Sequence, residues 1–367
     1  MVHKLIARFT LALFVLFPLA VHAQASDFNN RYRDFSVMTR NMDSGSDLGY
    51  IFEALQTAPG DASALVQATT MTYLEMHLSN IPARADGLAA EIQQTKPLVV
   101  GLQEVTRLLV GPYGQPATNI LDDGLAALMQ SLEQRGLHYK VLAQEQEADI
   151  TVPALDATLK NMIGVRLIDS EAVLVRTDMT VADLKVSVVA KDHFLAQLQV
   201  PIAGTVIDVP RGWIAVDGKI RGKSFRFVTT HLENYSPALQ QLQTLELIDG
   251  PLNTGLPVIL AGDLNSDALN PSFANGPAWG ILTGDGFTDV WSALHPTETG
   301  MTWPLFQEDP PLGPTTPQRI DFVLVKNGGI QPTAIQETGT TPIITTPEFT
   351  LYASDHAGVV AGFNLLP

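Results

Sequence analysis

Pro257-Val258-Ile259-Leu260-Ala261-Gly262-Asp263-Leu264-Asn265-Ser266 sets an uninterrupted apolar run directly against an acid, an amide and a hydroxyl. A short run of this kind suits a strand buried on both faces. Charged and amide side chains are costly to bury unless they pair with one another or with a cation, so their arrival where a buried strand ends marks a polar pocket. Alone, Asp263-Leu264-Asn265-Ser266 reads first as a turn closed by side-chain-to-backbone hydrogen bonds.

The same grammar recurs on both sides. Asn41 ends an apolar-polar alternation over 34–42 in which Phe35, Val37, Thr39 and Asn41 share one face. Glu104 follows Leu98–Leu102, His231 follows Phe225–Thr230, and Asp321 interrupts Ile320–Val325. Each has an ordinary reading by itself: a turn cap for Asn41, a solvated loop acid for Glu104, a structural histidine for His231, a surface pair for Asp355-His356. Their joint occurrence at five strand ends is the informative feature. Between them, the spacing predicts two or three helices over 46–96 and helices at about 118–135 and 237–249. It predicts strands near 138–144, 171–176, 196–200, 212–217, 224–231, 257–261, 320–326 and 358–363. Strands alternating with helices and hairpins imply two sheets packed between helices, an α+β, four-layer α/β/β/α sandwich of two mixed sheets flanked by helices. The proline-rich stretch 304–317 reads as a surface loop near a site. No glycine pattern forms a dinucleotide fingerprint or a P-loop.

The beginning of the chain reads as a signal peptide, residues 1–25. Lys4 and Arg8 are followed by the apolar Leu11–Leu19 and by Ala23-Gln24-Ala25, a small-residue cleavage site. That apolar run falls short of the roughly 20 residues needed to span a bilayer, so no stable membrane insertion is expected after cleavage. The rest, 26–367, reads as a single domain with a helical insertion around 46–96. The expected location is exported, periplasmic or extracellular. The chain has no cysteine, which removes disulfides and thiolate zinc sites. Its net charge of −16 becomes −18 once Lys4 and Arg8 leave with the signal. Such a balance opposes broad adhesion to nucleic acid or anionic membrane, yet permits a phosphate substrate where a divalent cation reverses the local sign.

In order along the chain stand Thr39-Arg40-Asn41-Met42, Gly101-Leu102-Gln103-Glu104-Val105, Thr230-His231-Leu232, Gly262-Asp263-Leu264-Asn265-Ser266, Arg319-Ile320-Asp321-Phe322-Val323 and Ser354-Asp355-His356. Together these words resemble the successive motifs of the endonuclease/exonuclease/phosphatase (DNase I-like) superfamily, over about 34–363. Six ordered words ending in Ser-Asp-His are far more specific than Gly-Asp-x-Asn alone.

The resemblance implies a hydrolase acting on phosphate ester bonds, most often phosphodiesters, through in-line attack of an activated water. It implies Mg²⁺ (Mn²⁺ and Ca²⁺ being the alternatives), held by Glu104 with Asn41 and Asp355 beside it. Asp263 would position the water, Asn265 would donate to a phosphate oxygen, and His356 would contact the phosphoryl group, oriented by Asp321. That pairing predicts a raised pKa for His356. His231 would sit across the phosphate, with Asp169 or Glu171 behind it, Asp169 being the favoured of the two. The implied partner is a phosphate-ester substrate, nucleic acid or a phospholipid head group, so nuclease and sphingomyelinase-like readings compete. A phosphomonoesterase and a non-catalytic binding module are the other readings. The first would need a basic phosphate clamp that the sequence does not display, and the second a loss of catalytic words. The stretches 46–96 and 145–167 match no family word, and either could wall a pocket.

Overall fold

The computed structural model describes residues 34–366 apart from 47, 181–182, 203–204, 306–315 and 347–349. The signal-peptide expectation, and most of the proline-rich loop, lie outside the described residues.

The chain opens with β1 (Asp34–Asn41), then α1 (Gly49–Thr57), α2 (Ala62–Leu78) and α3 (Ile81–Thr95). Next come β2 (Val99–Gln103), β3 (Arg107–Pro112), β4 (Asn119–Asp123), α4 (Gly124–Gln134), β5 (Tyr139–Leu155) and β6 (Met162–Arg176). The second half holds β7 (Leu184–His193), β8 (Leu198–Ile202), β9 (Thr205–Val209), β10 (Gly212–Ile220), β11 (Lys223–His231), α5 (Pro237–Asp249) and β12 (Val258–Asp263). It closes with α6 (Ala278–Gly284), β13 (Thr288–Asp289), α7 (Val290–Leu294), β14 (Asp321–Lys326), β15 (Ile330–Thr338), β16 (Ile344–Thr345), β17 (Thr350–Leu351) and β18 (Gly358–Leu365).

Two sheets carry the architecture. One has the order β15-β18-β1-β2-β6-β3-β4, with β5 also paired to β6; the other has the order β13-β14-β12-β11-β10-β7. Both are mixed: β1 and β2 are parallel within the first, β11 and β12 within the second, and their other pairings are antiparallel. Alternation along the strands divides the core into layers. Ile259 and Ala261 of β12 join Val37, Phe227, Val323 and Ala361 between the sheets. Val258 and Leu260 point the other way, onto Leu247 of α5 and Leu282 of α6. On the far side, Leu88 and Ile92 of α3 and Leu128 of α4 cover Met38, Val100 and Leu174 of the first sheet. The result is the expected four-layer α/β/β/α sandwich. The sheets approach closely at Gly101, where a Cβ would lie 2.4 Å from Thr229 Oγ1, so only glycine fits.

Three departures from the sequence reading have local causes. The helix expected over 118–135 begins only at Gly124, capped by Asp123, whose side chain accepts from Ala126 N; Asn119–Asp123 is instead an edge strand paired with β3. The strands expected near 138–144 and 171–176 are the ends of a long β5–β6 hairpin that pairs as far as Leu155 with Met162. The helical stretch 46–96 divides: α3 belongs to the sandwich, whereas α2 leaves it and packs Tyr73 and Met76 on Leu108 of β3 and on Ala154 and Val165 of the β5–β6 hairpin. Among the described residues, no helix is long and apolar enough to cross a membrane.

Candidate active site

Strand register brings the acid, amide and histidine residues to one rim of the sandwich. His231 pairs with Asp263 across β11 and β12, and Asp263 with Asp321 across β12 and β14. Since period-two alternation puts the inward-facing Phe227, Ile259 and Val323 in step with them, all three side chains face the space between the sheets. In the first sheet Thr39, Asn41 and Gln103 take the matching positions. Thr39 Oγ1 donates to Gln103 Oε1 at 3.1 Å, and Gln103 Nε2 donates to Thr229 Oγ1 at 2.9 Å. These buried bonds fasten one sheet to the other immediately below the rim.

Glu104 breaks the alternation. Continuing β2 would aim it outward with Leu102, but its φ of 52° is left-handed and turns the carboxylate back to the rim. Asn265 (φ 48°) and Asp43 (φ 59°) share that conformation, which for residues with a Cβ is uncommon and concentrates at functional sites. Asn41 Nδ2 donates to Glu104 Oε1 at 2.9 Å and to Asp263 Oδ2 at 3.1 Å, while its Oδ1 accepts from Asp43 N at 2.8 Å. The amide group therefore positions two carboxylates, and its oxygen holds the Asp43 backbone. Glu104 Oε2 accepts from Ser44 N at 2.8 Å, and Asp355 Oδ2 accepts from Trp303 Nε1 at 3.0 Å.

The two histidines are opposites. His356 Nδ1 lies 2.8 Å from Asp321 Oδ2, the expected pairing. Its Nε2 looks into the cleft, 3.5 Å from Asn41 Nδ2 and 3.8 Å from Asp263 Oδ2. Burial works against its charge, but Asp321, Asp355 and Asp263 together outweigh burial and hold its pKa well above the ordinary value. His231 is held neutral by burial, and then by the nearby charges of Arg211 and His356. Arg211 Nη1 is 2.9 Å from His231 Nδ1; a guanidinium can only donate, so Nδ1 accepts and the other ring nitrogen, Nε2, faces the rim. There Asp263 Oδ2 lies 3.4 Å away and Asn265 Nδ2 3.0 Å away.

Asp169, expected behind His231, stands one residue further back. No hydrogen bond joins it to His231 among the described residues. Its Oδ2 is 3.9 Å from Arg211 Nη1, which also lies 3.8 Å from Glu147. Arg211, missed in the sequence, is thus the direct partner of His231, with Asp169, Glu147 and Glu171 around it. The available signal was a lone arginine ahead of a strand in a chain with only 22 basic residues. Arg40 was also missed. Fully buried, it bonds Glu91 at 2.9 Å and donates to the His356 carbonyl, fixing the last motif against β1.

Burial and Asp321 push the Asp263 carboxyl up to about 7. Burial, then Asp43 and Glu104, push Asp355 up to about 7. Asp263, Asp321 and His356 offer potential ligand atoms all within 4.8 Å of one another. The rim opens into a cleft of about 500 Å³ bordered by Glu104, Asp169, Arg211, His231, Asn265 and Asp355. Such an arrangement can receive an anion against one charged and one neutral imidazole while acidic groups gather beside it.

A two-sheet sandwich with paired histidines and carboxylates at one rim defines a class of hydrolase. The family model described as "Endonuclease/Exonuclease/phosphatase family" matches residues 77–356. The chain belongs to that family, and is a hydrolase acting on phosphate ester bonds. Similar solved structures include truncated Caenorhabditis elegans TDP2 (18% identity, 90% of this chain and 98% of that one, TM-score 0.50). Family proteins from Leptotrichia buccalis (14%, 90% and 100%, TM-score 0.51) and Bacteroides thetaiotaomicron (17%, 91% and 98%, TM-score 0.51) are also similar. At these identities the likeness is one of fold. No curated protein matches by sequence.

Proposed function

We propose that the protein is an exported, divalent-metal-dependent phosphodiesterase that hydrolyses its substrate by in-line attack of water at the rim. The observation that carries this reading is the pair of imidazoles on either side of Asp263, one held by the Asp321 carboxylate and the other by the Arg211 guanidinium. His356, charged and held by Asp321, donates from Nε2 to a phosphoryl oxygen. His231, neutral, and the Asn265 amide face the phosphate from the other sheet edge. Asp263, with its pKa near neutrality, orients the water and takes its proton.

The donor chemistry fits Mg²⁺. Glu104 and Asp355 are oxygen donors, and burial, then the charges of Asp43 and Glu104, raise the Asp355 carboxyl, a cost that a cation would relieve. Asn41 would hold Glu104 in place for it. When bound, such an ion supplies neutralisation of phosphoryl and leaving oxygens; Mn²⁺ or Ca²⁺ could take the same donors.

Hydrolysis of bis(4-nitrophenyl) phosphate and of 4-nitrophenyl phosphate by purified protein tests the reading. The diester is expected to be cleaved faster, EDTA to abolish cleavage and Mg²⁺ to restore it. Full activity in chelator would reject the metal, and preference for the monoester would reject the diesterase assignment. Export predicts a mature amino terminus at Ser26 in protein recovered from periplasm or medium; an intact Met1 there would count against it.

A further inference from the structure

The two stretches that match no family word meet in space. α1 and α2 from the first, the β5–β6 hairpin from the second, and the β8–β9 hairpin surround a cavity of about 160 Å³ beside the rim. Phe52, Met76, Ile150, Val165 and Leu198 line it. Leu48, Leu167, Asp169, Arg211 and Tyr235 border both this cavity and the polar cleft, so the two spaces adjoin on the side that holds Arg211 and His231. Tyr235 and Phe52 pack there with ring centroids 4.0 Å apart and planes tilted by 33°.

Inside, polar partners are scarce. The charged residues of its lining are Asp169, Arg211 and Glu233, and α2 contributes Thr69, Thr72 and Tyr73; Thr69 Oγ1 is taken by backbone carbonyls, and Thr72 Oγ1 is buried without a hydrogen-bond partner. A water in such a place needs two to four polar partners, whereas an apolar cavity stays dry until an apolar group fills it.

We propose that this cavity receives an alkyl or acyl chain attached to the scissile phosphate, so that the substrate is a lipid-like, amphiphilic phosphodiester. The proposal rests on the phosphodiesterase reading of the rim. A cavity of about 150 Å³ holds benzene, so 160 Å³ suits roughly six carbons of chain. The net charge of −16, which opposes a polyanionic nucleic acid, places no such barrier before a single phosphate with an apolar tail.

Calorimetric titration of the full protein with n-alkyl phosphates from methyl to decyl, in Mg²⁺ and each below its micellar concentration, tests this. Affinity is expected to rise about fourfold per methylene up to about six carbons and then level. Thr72→Leu, filling the cavity from α2, should flatten the rise and leave methyl phosphate binding as in the wild type. Leu65→Ala, enlarging it, should move the plateau to longer chains. Equal affinity across the series overturns the proposal, and so does a rise undiminished in Thr72→Leu, which would put the chain elsewhere. Chain-length dependence without hydrolysis of small diesters would reject the phosphodiesterase reading alone. A flat series with hydrolysis intact would reject the pocket alone.

Discussion

The polar rim and the apolar cavity beside it border one another at five residues, yet they are built on different principles. Every side chain at the rim is tied down. Asn41 spans two carboxylates, Asp321 holds His356, Arg211 holds His231, and the Thr39–Gln103–Thr229 bonds lock the strands that carry them. The cavity is defined by shape alone, between a two-helix excursion and a hairpin arm. Preorganised polar groups act through charge and orientation, so losing one is expected to remove turnover. An apolar wall acts through area, so losing part of it is expected to change affinity and stability in small increments.

The largest expected effect lies at the rim. Asp263→Ala and His356→Ala should each lower kcat for a small phosphodiester by at least about 100-fold while far-ultraviolet dichroism stays as in the wild type. Near-wild-type rates from both would erase the distinction between the two regions. Asp321→Asn, one contact further out, is expected to cost about 10- to 100-fold. Removing that anion lowers the His356 pKa, so the high-pH limb of the rate profile should move to lower pH; an unmoved limb would reduce Asp321 to a structural role.

On the apolar side the expected changes are in stability. Leu260→Ala, deep between β12 and the covering helices, should cost about 4 kcal/mol. Leu65→Ala, whose side chain already borders a void, should cost about 2 kcal/mol. Urea titration of both variants measures the gap, and equal losses would mean that the cavity wall is packed as tightly as the core. The last expected effect is read in the pH dependence of stability and concerns Glu147. Burial and Asp169 push it up to about 8, so the folded form binds a proton that the unfolded form releases near its ordinary value. The stabilisation is complete below that ordinary value and declines as pH rises through it toward 8. Glu147→Gln should make the melting temperature less sensitive to pH between 5 and 8, and an identical slope would put the titration elsewhere.

The rim was legible because strand ends declare themselves. A buried run such as Val258–Ala261 must leave the sheet, and an acid in that place has no cheap alternative to a paired, polar environment. The β4 edge strand was not legible: Leu121 and the apolar spacing of α4 run on into each other, and only pairing with β3 decides where the helix begins. Arg211 was not legible either, because a single arginine before a strand carries no period and no motif. Its role depends on Glu147 and Asp169 arriving from β5 and β6, more than 40 residues away.

What the sequence by itself determined is therefore the layered fold class, the family and the groups at the strand ends, all of which follow from local periodicity and ordered short words. Only the tertiary structure decided the partner of His231, the backbone turn that returns Glu104 to the rim, and the meeting of 46–96 with 145–167 around one cavity. The physical reason is that charge pairing and enclosed volume are properties of residues distant in the chain. Register and packing, rather than any local pattern, set the distances between them.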